Sequence, residues 1–282
     1  MDKRDIANIA QEFVKNSNYN YISKDNAIAE ELVGMQIFDK PIFAFGAVED
    51  EGFQLLKNPS AIGEHFLLPR DWLVSANTVI SYFFPFTVEI IKSNRKDKSW
   101  PSNEWLHGRI EGQNFLKKFN IYLNSKLNDE GYESLVPTLD ERFWSCSKES
   151  AELQSFSSNW SERHVAYVCG LGTFGLSKGI ITEKGMAGRL GSVVTQLKLE
   201  PSEKMYSGIY EYCTMCGACA KKCPVDAISV DTGKDHKKCS DFLDITAEKY
   251  RPRYGCGKCQ VSVPCERRIP KNSDNNLSSQ KE

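Results

Sequence analysis

Eight cysteines in the last third of the chain are the residues whose type and spacing can do chemistry. Cys213-x-x-Cys216-x-x-Cys219-x-x-x-Cys223-Pro224 is the ferredoxin spacing for [4Fe–4S] clusters. Three thiolates two residues apart can wrap one face of a cuboidal cluster from a tight loop, and Gly217 lets the backbone come close. The fourth cysteine of such a run is carried away on the next turn and binds a second cluster. Cys223 therefore groups with Cys239, Cys256 and Cys259, and Cys265 completes the set begun by Cys213, Cys216 and Cys219. Two four-thiolate sites result, with none of the eight left over. Paired C-x-x-C motifs also bind zinc, but the third cysteine of the run and the proline after Cys223 favour iron.

Cys146 and Cys169 stand alone in the first 212 residues. An isolated cysteine is usually a small buried hydrophobe, with Arg163 and His164 near Cys169 as the one reason to look further. This uneven placement marks a boundary near residue 200. The 282 residues suit about two domains: an α/β domain over 1–200, a ferredoxin-type domain over 201–270 and a disordered tail over 271–282. Hydrophobic and charged residues make up 40% and 26% of the chain, which excludes a mostly disordered or low-complexity protein. With 36 Lys+Arg against 37 Asp+Glu the formal charge is -1, so bulk charge advertises neither nucleic acid nor an acidic tail. The start lacks an apolar stretch of signal-peptide type, and the longest apolar run, Tyr82 to Phe86, is far too short to span a membrane. A cytoplasmic protein without membrane contact is expected, and its ten cysteines then point to metal or redox chemistry.

The elements that must position these cysteines read as a mixture of helix and strand. Asp5 to Asn16 and Asn26 to Phe38 have apolar residues at three- and four-residue spacing and are expected as helices. Ile42 to Phe45 and Thr78 to Tyr82, short and rich in β-branched and aromatic residues, are expected as strands. A long helix is expected from Glu104 to Leu127 with Ser102 as its cap, and another from Ser161 to Val168, ending in Cys169-Gly170-Leu171-Gly172. Gly179 to Thr182 and Gly191 to Leu199 read as strands.

The cysteine order, with Gly255-Cys256-Gly257-Lys258-Cys259-Gln260 inside it, resembles the iron–sulfur module of epoxyqueuosine reductases and of their relatives the reductive dehalogenases. Glu162-Arg163, Ala166, Gly170-Leu171-Gly172 and Gly175 resemble a second segment of that family without a gap. Ile181-Thr182, Gly185, Arg189, Gly191-Ser192 and Thr195 continue the match, and weaker similarity reaches back through Thr78 to Pro85 and Gly108-Arg109. The resemblance implies an α+β protein: a nitroreductase-like α/β domain followed by a two-cluster bacterial ferredoxin-like domain. It also implies two [4Fe–4S] clusters, a corrinoid (cobalamin) beside Arg163, Gly170, Gly172, Gly175 and Arg189, and a low-potential electron donor such as a ferredoxin or flavodoxin.

Departures from the family pattern shape the rest of the reading. Phe156 stands where epoxyqueuosine reductases carry a catalytic Asp, Leu176 where they carry a Lys, and Ile110-Glu111-Gly112 where they carry Asp-Tyr-His. Cys259 and Cys265 are also two residues further apart than usual. Reductive cleavage of a C–O bond needs a proton donor, and no catalytic residue is named by the sequence; Asp140 and Glu141 lie upstream as charged residues of a turn. The expected function is an iron–sulfur reductase acting on a small-molecule or nucleoside-type substrate, with tRNA not expected as a partner. The alternative is an electron carrier or corrinoid-reactivating protein without substrate chemistry of its own. The basic runs Lys92 to Lys98 and Arg251 to Arg253 are the most evident stretches that could touch RNA.

Overall fold

A computed structural model describes residues 1–271; the expected disordered tail lies, apart from Lys271, outside the described residues. The first helix, α1 (Lys3–Asn16), starts where Asp2 accepts hydrogen bonds from the Arg4 and Asp5 amides while the Asp5 carboxylate accepts from the Asp2 amide, a reciprocal cap. Strand β1 (Ile42–Ala47) is followed by the short helices α2 (Glu51–Leu55) and α3 (Pro69–Trp72), then by β2 (Thr78–Pro85) and α4 (Val88–Ser93). The long helix α5 (Asn103–Asp129) is capped as expected: Ser102 Oγ accepts from the Trp105 amide at 3.2 Å. Strand β3 (Ser134–Leu135), helix α6 (Glu162–Val168), and strands β4 (Gly172–Phe174), β5 (Ile180–Thr182) and β6 (Gly188–Thr195) complete the N-terminal part.

β1, β2, β6 and β3 form an antiparallel sheet in that order. Every residue of β2 is buried, because both faces of the sheet are covered. Its side chains divide with the two-residue period of a strand. Ile80, Tyr82 and Phe84 pack with Phe38, Phe115 and Phe119 beneath α1 and α5. Val79 and Phe83 pack on the opposite face with Phe66, Trp160 and the buried side of α6. β4 and β5 form a separate hairpin that follows α6.

The stretch from Asn26 to Phe38 is not the expected helix. It holds a short 3-10 turn at Glu30–Leu32 and a left-handed Gly34. Its backbone is taken by distant partners: the Ile22 amide donates to the Met35 carbonyl, and the Ile28 amide to His107 Nε2. Buried Asn20 donates to the Val14 and Phe38 carbonyls and accepts from the Phe38 amide. Tertiary hydrogen bonds thus override a helical apolar pattern. The expected strand from Gly191 begins three residues earlier and ends at Thr195, pairing with β2 along its whole length.

From residue 201 onward the chain is mostly loop, with α7 (Ala218–Lys221), the small hairpin of β7 (Ile228–Ser229) and β8 (Gly233–Lys234), and α8 (His236–Lys249). Polar contacts fasten it to the sheet domain. Asn94 donates to the Cys256 carbonyl, buried Lys258 Nζ donates to the Asn94 carbonyl at 2.7 Å, and the Met186 amide donates to the Cys265 carbonyl at 3.0 Å. The two basic runs serve this clasp: Arg95 pairs with Glu266, and Arg253 pairs with Glu111 at 2.6 Å.

Candidate functional site

The structure brings the eight cysteines together in two sets. Cys213, Cys216, Cys219 and Cys265 line one small cavity, closed by apolar side chains that include Leu176 and Val263. Cys223, Cys239, Cys256 and Cys259 line another of about 170 Å³. Local structure explains the gathering. Gly217, left-handed, opens α7 and turns Cys219 inward. Cys239 comes from the first turn of α8. Gly257 lies so close to Trp105 that an added Cβ would sit 1.9 Å from the indole, which brings the Cys256 loop hard against α5.

Burial pushes the Cys219 and Cys256 thiols up to about 12, and neighbouring cysteines add to the push in both. Burial raises Cys265 and Cys259 as well, again with other cysteines adding. Sulfurs that oppose one another's ionisation need positive charge in their midst, and thiolates are the ligands that iron–sulfur clusters take. The donor set therefore fits such clusters. Among the described residues no three His, Cys, Asp or Glu groups converge tightly enough to grip a single ion.

The second cavity adjoins a wide cleft. Arg109 and Arg189 line it together with the four cysteines. Arg109 also lines a cleft of about 690 Å³ with Arg163, Phe156 and His236. Arg163 and Arg189 line a neighbouring one of about 570 Å³ with Glu162. Arg163 Nη1 donates to the Lys178 carbonyl at 2.9 Å. Arg189 Nη2 donates to the Arg109 carbonyl at 2.6 Å, and the Arg109 guanidinium lies 4.3 Å from the centre of the Tyr254 ring. Burial, with the Arg109 charge adding to it, brings Arg189 down to about 9, so it stays cationic at neutral pH.

Glu162 is the unexpected group. Both of its carboxylate oxygens are shielded from solvent, and Glu162 forms no ion pair among the described residues. Burial raises it to about 7, and the neighbouring Ser192 hydroxyl offsets only part of that push. The sequence carries Glu162 as a motif letter, but only burial reveals a carboxyl that holds its proton near neutral pH. Asp140 is the reverse: Arg142, donating at 2.7 Å and 2.9 Å, keeps its carboxyl below the usual range.

The remaining expected residues fall as follows. Gly170 turns the chain out of α6 at φ +94, and Gly172 packs so tightly on β5 that a Cβ would meet the Ile181 carbonyl oxygen at 2.1 Å. Both lie against the chain's own backbone, whereas Gly175 lines the first cysteine cavity. Lys178 Nζ donates to the Tyr210 hydroxyl at 2.5 Å. Phe156 is left-handed at φ +55 and stacks on His236 in the cleft. Cys169 is buried behind Gly46, and burial drives its thiol far above the usual range; Cys146 lines the cleft and donates to the Lys148 carbonyl at 3.1 Å. Lys234 and Lys258, which the sequence reading missed, stand beside Cys259 and Cys256. Lys258 could have been found from its place between two ligand cysteines.

Comparison with known proteins agrees with this arrangement. The family described as "4Fe-4S binding domain" matches residues 207–229. An epoxyqueuosine reductase from Staphylococcus aureus is 30% identical over 124 residues, which cover 40% of this chain and 32% of the reductase. A tetrachloroethene reductive dehalogenase from Desulfitobacterium hafniense is 39% identical over 66 residues, covering 23% of this chain and 12% of the dehalogenase. The matches thus span a third or less of these relatives. In fold, the structure of epoxyqueuosine reductase from Streptococcus thermophilus superposes with a TM-score of 0.50 at 18% identity, over 82% of this chain and 63% of that one. No helix among the described residues is long and apolar enough to cross a membrane.

One expectation is overturned. Bulk neutrality argued against tRNA, yet the relatives include epoxyqueuosine reductases from Staphylococcus aureus and Vibrio cholerae. Net charge is a sum over the whole surface and does not register three arginines gathered at one cleft. The chain carries a 4Fe-4S binding domain and is related to the epoxyqueuosine reductases and the reductive dehalogenases.

Proposed function

We propose that this chain is a reductase that receives electrons one at a time from a low-potential ferredoxin or flavodoxin. It would pass them through two [4Fe–4S] clusters to a substrate held in the arginine cleft. Residues 1–200 would form a nitroreductase-like substrate domain and 201–270 the ferredoxin-type domain. The first cluster would be held by Cys213, Cys216, Cys219 and Cys265, and the second by Cys223, Cys239, Cys256 and Cys259. The observation that carries this reading is the continuity of the second cysteine cavity with the cleft through Arg109 and Arg189.

The cleft also suits the corrinoid that the resemblance implies. Arg163 and Arg189 would hold its polar groups, and Gly175 lies by the first cysteine set rather than the cleft. When bound, a corrinoid supplies a metal centre able to deliver electrons to carbon.

The chain's own contribution is protonation and positioning. Reductive cleavage of a C–O bond that releases water consumes two electrons and two protons, and one proton must come from a placed acid. Glu162 is the carboxyl fitted for that role: it lines the cleft, has no ion-pair partner among the described residues, and burial raises it to about 7, so a protonated fraction persists at neutral pH. Asp244, the other carboxyl lining these cavities, is ion-paired to Lys148 at the surface. A modified nucleoside carried on tRNA is the substrate class to test first, with the arginines as phosphate contacts.

The deciding experiment combines anaerobic iron and sulfide analysis of the reconstituted protein with a titration by cob(II)alamin followed by EPR. About eight irons per chain and a saturable base-off cobalt signal support the reading. Reduction of an epoxyqueuosine-modified stem loop by the loaded protein then fixes the substrate class. Zinc in place of iron defeats the cluster assignment, and an unchanged cobalt spectrum leaves an electron carrier.

A further inference from the structure

The two cysteine sets sit in opposite electrostatic surroundings. No charged side chain lines the cavity of Cys213, Cys216, Cys219 and Cys265. The cavity of the other four is lined by Arg109, Arg189 and Lys234, and Lys258 stands beside Cys256. The two arginines have no counter-ion of their own. Their Nε atoms are buried and without a partner, and neither arginine belongs to an ion pair among the described residues. Adjacent half-buried cations without an anion repel one another, and the fold holds them there despite that repulsion.

We propose that Arg109 and Arg189 are the built-in counter-charge of the second cluster and set its reduction potential above that of the first. This inference rests on the proposed ligand sets. A cubane held by four thiolates is anionic, and each electron it gains makes it more so. Cations at its edge therefore stabilise the reduced form. The first cluster, in an uncharged apolar cage, lacks that stabilisation and stays at the lower potential. Electrons entering at the first cluster then run downhill to the one beside the cleft. Both guanidiniums act on the cluster as fixed charges, in addition to any contact they make in the cleft.

The test is an EPR-monitored redox titration of the full reconstituted chain, comparing wild type with Arg189→Gln, Arg109→Gln and Arg189→Lys. The two centres are assigned beforehand by the signal that Cys265→Ser disturbs. Each glutamine variant should make reduction of the second cluster at least tenfold less favourable, 59 mV for a one-electron couple, and leave the first where it was. Arg189→Lys should restore most of the loss. Equal shifts in both clusters, or no shift in either while the iron count stays at two clusters, overturns the proposal. If a variant loses iron, the wild-type order decides: a first cluster that titrates above the second overturns it. Failure of the cluster reading looks different, because the wild type would then lack two four-iron signals altogether.

Discussion

The aromatic layer on the central sheet and the cleft beside it solve different problems. Beneath α1 and α5 the space is filled by interlocking rings: Phe119 meets Tyr82 edge-on at 5.1 Å and Phe84 at 4.9 Å, and Phe13, Phe38 and Phe115 continue the stack. The polar atom of that layer, the Tyr82 hydroxyl, is satisfied by donating to Asn120. Along the cleft lie Glu162 of α6, Arg189 of β6 and Arg109 of α5, none of them in an ion pair among the described residues. The rings of the first region pack against one another, whereas the second holds charged groups without an ion-pair partner among the described residues. Buried polar atoms without partners are rare in folded proteins, and those that carry charge, on Glu162, Arg109 and Arg189, gather along the cleft.

The sharpest way to break this contrast is to damage the satisfied side. Phe119 is fully buried, and Phe119→Ala removes a large ring from a packed layer that cannot collapse around it. A loss of about 3–5 kcal/mol is expected, read from chemical unfolding under anaerobic conditions. Iron content of the folded fraction should stay unchanged, since neither cysteine cavity contains this ring. If Phe119→Ala lowered the iron content of folded protein, the separation of the two regions would be mistaken.

Damage to the unsatisfied side should have the opposite sign. Glu162 has its carboxyl raised from 4.5 to about 7 by burial, so the native state keeps a proton that the unfolded chain releases. Stability from this group is fully present below pH 4.5 and falls as pH rises toward 7. Glu162→Gln removes the titration. It should therefore raise stability above pH 7 by at most about 3 kcal/mol and change nothing at the acid end, while substrate reduction is lost. A variant with reduced stability at pH 8 and no gain relative to acid would show that Glu162 is ionised and paired in the folded protein.

How much of this was legible in the sequence follows the same division. The Ser102 cap and the β-branched, aromatic run of β2 are local patterns, and each led directly to its element. The false helix from Asn26 to Phe38 had the right periodicity, but its hydrogen bonds go to Asn20, Ile22 and His107, which no local pattern encodes. The cleft was legible only as isolated letters. Arg163 and Arg189 were named from resemblance; Arg109 joined them through packing, and Glu162 became an acid only through burial. Charge on a residue type is written in the sequence, but the absence of a partner for it is not.

The smallest expected effect concerns Phe156, where the family carries an acid. Its φ of +55 is unfavourable for a bulky L-residue and much less so for Asp or Asn, whose short polar side chains tolerate that region. The backbone at this position thus suits Asp better than the Phe it holds. What Phe156 gains in return is its stacking on His236 at 5.7 Å. Phe156→Asp exchanges a strain of about 1–2 kcal/mol for the loss of a partly exposed ring contact of about 1 kcal/mol. The melting temperature should move by only a few degrees in either direction. A large fall would mean that Phe156 is structural. If the variant folds normally and reduces substrate faster than wild type, a second acid improves the cleft and the contrast between its two sides becomes chemical as well as structural. If it folds normally without gaining rate, Glu162 already supplies the proton.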